Sequence, residues 1–177
     1  MYGPRAMEIP ATHIVLIGPM GVGKSTIGGS VAAAIGRVFL DSDEMIESDL
    51  GITGSELATT QGVEDLHAIE LAVFERMVMT IPPAVIAPAE SVVDNPAGRA
   101  LLEAHLGVWL DAPDDVLSAR RTTGVHRRVI SEEEARRLRS TRRRHLEVCT
   151  LGRVDATASV ETCVDAVMRL VTVGPDD

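Results

Sequence analysis

The chain has 177 residues, a length suited to one domain with a single sizeable core. Its formal charge of −9 argues against nucleic acid as a general partner, and no apolar run approaches the length of a membrane span. Tyr2, Phe39, Phe74 and Trp109 are the only aromatics, so the core has to be built from Val, Ile, Leu, Ala and Met.

In chain order, Thr12–Ile17 is a short β-branched apolar run that predicts a buried strand. Gly18-Pro-Met-Gly21-Val-Gly23-Lys24-Ser25 follows it and fits G-x-x-x-x-G-K-[ST], a phosphate-binding P-loop. Ile27, Val31, Ala34 and Ile35 then recur at helical spacing. Arg37–Leu40 predicts a second strand ending at Asp41-Ser42-Asp43, and a short helix beginning at Met45 and Ile46 stops near Gly51. Thr53 and Glu56 have capping-box spacing. Leu66, Ile69, Val73 and Met77 mark a longer helix from about Val63 to Met79, which Pro82-Pro83 ends. Ala84–Ala87 predicts a strand, Asn95-Pro96 opens a helix through Leu102, and Leu106–Leu110 predicts another strand.

Pro113 suits the first turn of the next helix. Thr122–Ile130 is an arginine-bearing loop, and Ser131 and Glu134 form a second capping-box pattern before a helix through about Val148. Val154–Ala156 and Val160–Val171 complete the pattern as strand and helix. Strands alternating with helices predict an α/β fold, three layers deep, with a mostly parallel sheet. One domain over 1–177 is expected, with flexible ends at 1–11 and 174–177 and a lid over 122–135. Cys149 and Cys163 have neither disulfide-framework nor metal-ligand spacing, and the N-terminus lacks signal-peptide features; a cytoplasmic monomer is the expectation.

Strand, glycine loop and helix together give the P-loop its required context. Backbone N–H groups of Gly21, Val22, Gly23, Lys24, Ser25 and Thr26 can cradle phosphates at a helix N-terminus. Lys24, the only lysine beside sixteen arginines, supplies a point charge near the β- and γ-phosphates of ATP, and Ser25 can ligate Mg²⁺. Asp41 and Asp43 end the second strand, where phosphoryl transfer needs carboxylates for Mg²⁺ and for the attacking hydroxyl. Two positions apart on an extended end, they are expected to point to one side; the competing role is capping of the next helix by Ser42 or Asp43, and one residue can fill both roles.

Ten of the arginines lie between Arg120 and Arg144. Individually most suit a solvated face, but together they suggest a local polyanion such as ATP. Leu138, Arg142, Leu146 and Cys149 share one helix face, so Arg142 points inward and requires an anionic partner. A structural ion pair and a bound phosphate or substrate carboxylate are equal alternatives. Arg120, Arg121, Arg127 and Arg128 bracket a loop suited to close over a nucleotide.

These motifs resemble those of the shikimate kinases, small P-loop kinases of the nucleoside-monophosphate-kinase type. The resemblance runs from Ile14 to Leu170 and rests on residues 18–28, on Phe-Leu-Asp-Ser-Asp-Glu-Met-Ile-Glu at 39–47, on Gly51–Leu57, on Val-Trp-Leu-Asp-Ala-Pro at 108–113 and on Arg153-Val-Asp155. It implies the P-loop kinase fold with an arginine-bearing lid, and ATP- and Mg²⁺-dependent phosphorylation of a small hydroxylated substrate. By resemblance Asp41 lies near the metal, Asp43 contacts the acceptor hydroxyl as candidate base, Arg142 holds the acceptor carboxylate, Arg127 is the flap arginine and Arg121 lies beside the adenine.

Three departures fall in the acceptor pocket or flap. Ala89-Glu90-Ser91 stands where the family has a glycine-rich strand end, Leu66-His67 where it has a Phe-Arg pair, and Arg127-Arg128 where it has Arg-Pro. Without the second arginine, bidentate carboxylate recognition is weakened, and Glu90 puts negative charge in the acceptor region. Another hydroxylated acceptor, or a catalytically impaired nucleotide-binding regulator, are the alternatives to shikimate phosphorylation.

Overall fold

The structure is a computed structural model that describes residues 11–121 and 131–172, with only the backbone of Arg121 described. Its elements are β1 (Ile14–Ile17), α1 (Lys24–Ile35), β2 (Phe39–Asp41), α2 (Ser42–Leu50), α3 (Gly54–Thr60), α4 (Val63–Met77) and β3 (Val85–Ala87). A 3-10 helix (Glu90–Asp94) follows, then α5 (Pro96–Glu103), β4 (Leu106–Asp111), α6 (Asp114–Arg121), α7 (Glu132–Cys149), β5 (Gly152–Asp155) and α8 (Val160–Thr172). The five strands pair in parallel in the order β2-β3-β1-β4-β5. β1 sits at the centre, with Ile14 opposite Val85 on one side and Leu106 on the other.

Both faces of the sheet are covered, which is why its strands read as continuous apolar runs rather than as alternating ones. On one face Ile14 and Leu16 pack with Ile27 and Val31 of α1 and Val167 and Val171 of α8. On the other, Val15 and Ile17 meet Ile46 of α2, Phe74 and Met77 of α4, Leu102 of α5 and Leu146 of α7. The layers are therefore helix, parallel sheet, helix. Every strand delivers its C-terminal end to the same edge, the place where open α/β sheets bind ligands.

Several boundaries differ from expectation for local reasons. α2 starts at Ser42, three residues before Met45, because the Asp41 side chain caps it by accepting from the Asp43 N–H at 3.0 Å. The cap is thus neither Ser42 nor Asp43. Asp41 and Asp43 also do not share an extended strand end: Asp41 is buried there, whereas Asp43 is exposed in the first helical turn. α1 buries Ala32 in place of Ala34, and α4 ends at Met77 rather than Met79. In α4 the inward stripe includes Glu70, buried alongside Leu66 and Val73, while Ile69 is half-buried.

The capping box at Thr53 and Glu56 forms in full, and the Ser131 hydroxyl accepts from the Glu134 N–H. The expected lid lies outside the described residues as far as 130, and 131–135 are the cap and first turn of α7. The ends at 1–10 and 173–177 also lie outside them. Among the described residues no helix is long and apolar enough to cross a membrane.

Candidate active site

The P-loop is shaped by its contacts with the sheet. A Cβ on Gly18 would lie 2.2 Å from the Leu110 carbonyl oxygen of β4, so only glycine lets the loop leave β1 this closely against the neighbouring strand. Gly23 caps α1 with φ 104°, a left-handed geometry that favours glycine. Lys24 curls back over the loop, and its Nζ donates to the Gly18 carbonyl oxygen at 2.8 Å. The N–H groups of the first α1 turn face the same cavity end as this ammonium, an arrangement that suits a phosphate chain.

Ser25 joins the loop to β2: its hydroxyl donates to Asp41 Oδ2 at 2.6 Å. Asp41 therefore serves as helix cap and as partner of the P-loop serine at once, combining the two roles that sequence spacing set in competition. The two oxygen donors form the kind of hard-ligand pair that Mg²⁺ accepts alongside water and phosphate oxygens. Among the described residues no cluster of three His, Cys, Asp or Glu could hold a metal ion.

A cavity of about 470 Å³ opens between this loop and the α2–α4–α7 side of the molecule. Lys24, Ser25, Asp41 and Asp43 line its phosphate end, and His67, Glu70, Glu90 and Arg142 its far end. A smaller cavity of about 320 Å³ lies across the P-loop, bounded by Gly21, Thr26, Arg120 and Ala156. Arg120 ties that region together, donating to the Val22 carbonyl at 3.2 Å and to the Ala156 carbonyl at 3.1 Å. The Arg121 side chain and Arg127 lie outside the described residues.

The far end is a network of charges. Arg142 is buried, as its helical register predicts, and its guanidinium is held by two carboxylates. Nε and Nη2 donate to Asp94, the latter at 2.6 Å, while Nη1 donates to Glu90 Oε2 at 3.0 Å. The structural ion pair that an inward arginine could require is present. Burial disfavours the Arg142 charge, but the bonds and charges of Asp94 and Glu90 outweigh it and raise its pKa. Beneath it Glu70 accepts from the Ser91 hydroxyl. Burial pushes the Glu70 carboxyl up to about 7, with the Asp43 charge adding to the effect and the Ser91 bond opposing it.

Three groups of this site were outside the sequence expectation. Glu70 carries a signal that could have found it, an acid four residues after Leu66 and three before Val73 on an apolar stripe. Arg139 also lines the large cavity, paired with Asp111 at 2.7 Å and with Asp114. Asp94 lies 48 residues from Arg142, and nothing local in the sequence announces their pairing.

The family model for shikimate kinase matches residues 20–171. A shikimate kinase of Thioalkalivibrio sulfidiphilus is 34% identical over 161 residues, covering 90% of this chain and 83% of that protein. A shikimate kinase of Rhizobium meliloti is 37% identical over 105 residues, and the aligned stretch spans 55% of its length and 59% of this chain. Among solved structures, the shikimate kinase of Acinetobacter baumannii in complex with shikimate superposes with a TM-score of 0.80 at 24% identity, covering 90% of each chain. The nucleotide-side motif, the doubly covered parallel sheet and these matches converge: the chain belongs to the shikimate kinase family.

Proposed function

We propose that this protein transfers the γ-phosphoryl group of ATP to a hydroxyl of a small molecule, the reaction type of ATP and shikimate giving ADP and 3-phosphoshikimate. The observation that carries this reading is the 2.6 Å bond from Ser25 to Asp41, which joins the phosphate loop to an acidic strand end inside one cavity with Lys24. In this reading the amides from Gly21 to Thr26 hold the phosphates, and Lys24 turns from Gly18 to the β- and γ-phosphate oxygens. The smaller cavity takes the nucleoside, with Arg121 beside the base. Ser25 and Asp41 would hold Mg²⁺, which when bound offsets phosphate charge.

Asp43 stands at the cavity mouth, where it orients the acceptor hydroxyl and takes its proton. That oxygen bonds to the γ-phosphorus while the bond to the β–γ bridging oxygen breaks and leaves its electron pair on ADP. Arg127 closes over the transfer from the lid, excluding water and adding positive charge. Glu90, His67 and Arg142 face the acceptor, and one chain suffices for the whole site.

Acceptor-stimulated ADP release over a panel of shikimate, quinate, gluconate and uncharged or amine-bearing polyols tests this reading. Saturable turnover that Asp43→Ala abolishes supports it. Tight ATP binding with no stimulated turnover across the panel contradicts it and favours a nucleotide-binding regulator of the same fold.

A further inference from the structure

Arg142 is where an acceptor carboxylate would find its cation, yet the chain's own acids already occupy it. Its side chain is 8% exposed, and Glu90 and Asp94, four residues apart on the 3-10 helix, close on the guanidinium from two sides. That helix is fixed in place: Val92 and Val93 are in the core, and a Cβ on Gly98 of α5 would lie 2.0 Å from the Val92 carbonyl oxygen. Glu90 is thus a built part of the cavity wall, while Asp94 holds the other side of the guanidinium from an exposed position outside the cavity lining.

Glu47 also lines the cavity, Glu70 adds its charge as pH rises through about 7, and Arg139 is committed to Asp111 and Asp114. A carboxylate entering here has to displace Glu90 from Arg142 and strand it in a largely buried position, an unfavourable exchange. Hydroxyls meet no such penalty, because they can donate to the remaining carboxylate lone pairs of Glu90 and Glu70 without displacing either from its partner. An ammonium gains from the excess of carboxylates.

We propose that the acceptor is an amine-bearing polyol without a carboxylate, and that Glu90 is the residue that sets this specificity. The proposal rests on the phosphotransferase reading above and names the substrate class of that same site. The amine is a binding group only: a hydroxyl oxygen takes the phosphoryl group, its proton leaves through Asp43 to water, and ADP departs.

The test uses the full chain with Mg·ATP and compares kcat/KM, by ADP release and phosphomonoester formation, for glucosamine and an aminocyclitol against shikimate and quinate. The amine-bearing polyols are expected to exceed the carboxylates by about 100-fold or more. Glu90→Gln, which frees one side of Arg142, is expected to lower that ratio at least about tenfold by improving shikimate and weakening the amines. Equal or better use of shikimate by the unaltered protein, or a ratio unmoved in folded Glu90→Gln, overturns the proposal and leaves the phosphotransferase reading standing. If neither class is phosphorylated, the phosphotransferase reading falls. Binding of glucosamine and shikimate to the complex with a non-hydrolysable ATP analogue then decides specificity alone, and tighter shikimate overturns it.

Discussion

The two ends of the large cavity hold their charges differently. At the phosphate end, Lys24 is anchored among the described residues to a backbone carbonyl, and Ser25 and Asp41 present hard oxygens at the start of helices. Those groups can turn to a ligand without breaking an ion pair. At the acceptor end, Arg142 is locked between Glu90 and Asp94, and Glu70 sits beneath with a raised pKa. A ligand there has to fit around charges that are already balanced. In the proposed reading the first end takes the phosphates of ATP, whereas the second selects the acceptor by what it refuses.

Substitutions at the two ends should therefore fail in different ways. Arg142→Ala is expected to cost the most, about 3 kcal/mol of stability, because it strands the largely buried Glu90 while the more exposed Asp94 recovers water. Thermal denaturation of the unliganded protein should show a fall of roughly 6–12 °C. No loss of stability would mean that the acceptor end is as loosely committed as the phosphate end. Lys24→Ala should behave in the opposite way, with an almost unchanged melting temperature and turnover reduced about 10²–10³-fold.

Glu70 adds a pH dependence to the cavity. Its folded pKa is about 7 against 4.5 for the ordinary carboxyl, so the folded chain binds its proton more tightly than the unfolded one. The resulting stability is fully present below pH 4.5 and is lost as pH rises through about 7, a loss of about 2–3 kcal/mol. Denaturant titrations from pH 5 to 8 should show this decline, and Glu70→Gln should flatten it. An unchanged slope in the variant would place the titration elsewhere.

Gly98→Ala is a smaller perturbation. Its methyl group meets the Val92 carbonyl and should destabilise by about 1–3 kcal/mol. It should also shift the 3-10 helix that carries Glu90, altering acceptor use while leaving ATP affinity unchanged. Weakened ATP binding in this variant would erase the distinction between the ends.

Local patterns in the sequence announced most of the frame. β1, the P-loop and α1 follow from a β-branched run, a glycine spacing and a helical repeat over consecutive residues. The inward face of Arg142 follows from its register with Leu138 and Leu146. What escaped depends on distance or on competition between roles. Glu90–Asp94 lies in a short 3-10 helix without a periodic signature, and its pairing with Arg142 spans some 50 residues, so only the folded arrangement reveals the internal acids beside it. The cap was expected at Ser42 or Asp43 because spacing alone does not show that the two oxygens of Asp41 face Ser25 and the Asp43 N–H separately. Glu70 falls outside the apolar repeat of Leu66, Ile69, Val73 and Met77, and an acid beside such a stripe is usually solvated.

The most direct test of the central claim is ³¹P NMR of the protein with Mg·ATP and the polyol panel, before and after Asp43→Ala. Phosphoryl transfer predicts a new phosphomonoester signal rising in step with ADP and absent in the variant. Bound ATP that stays intact, or that yields only inorganic phosphate with every acceptor, would contradict the account.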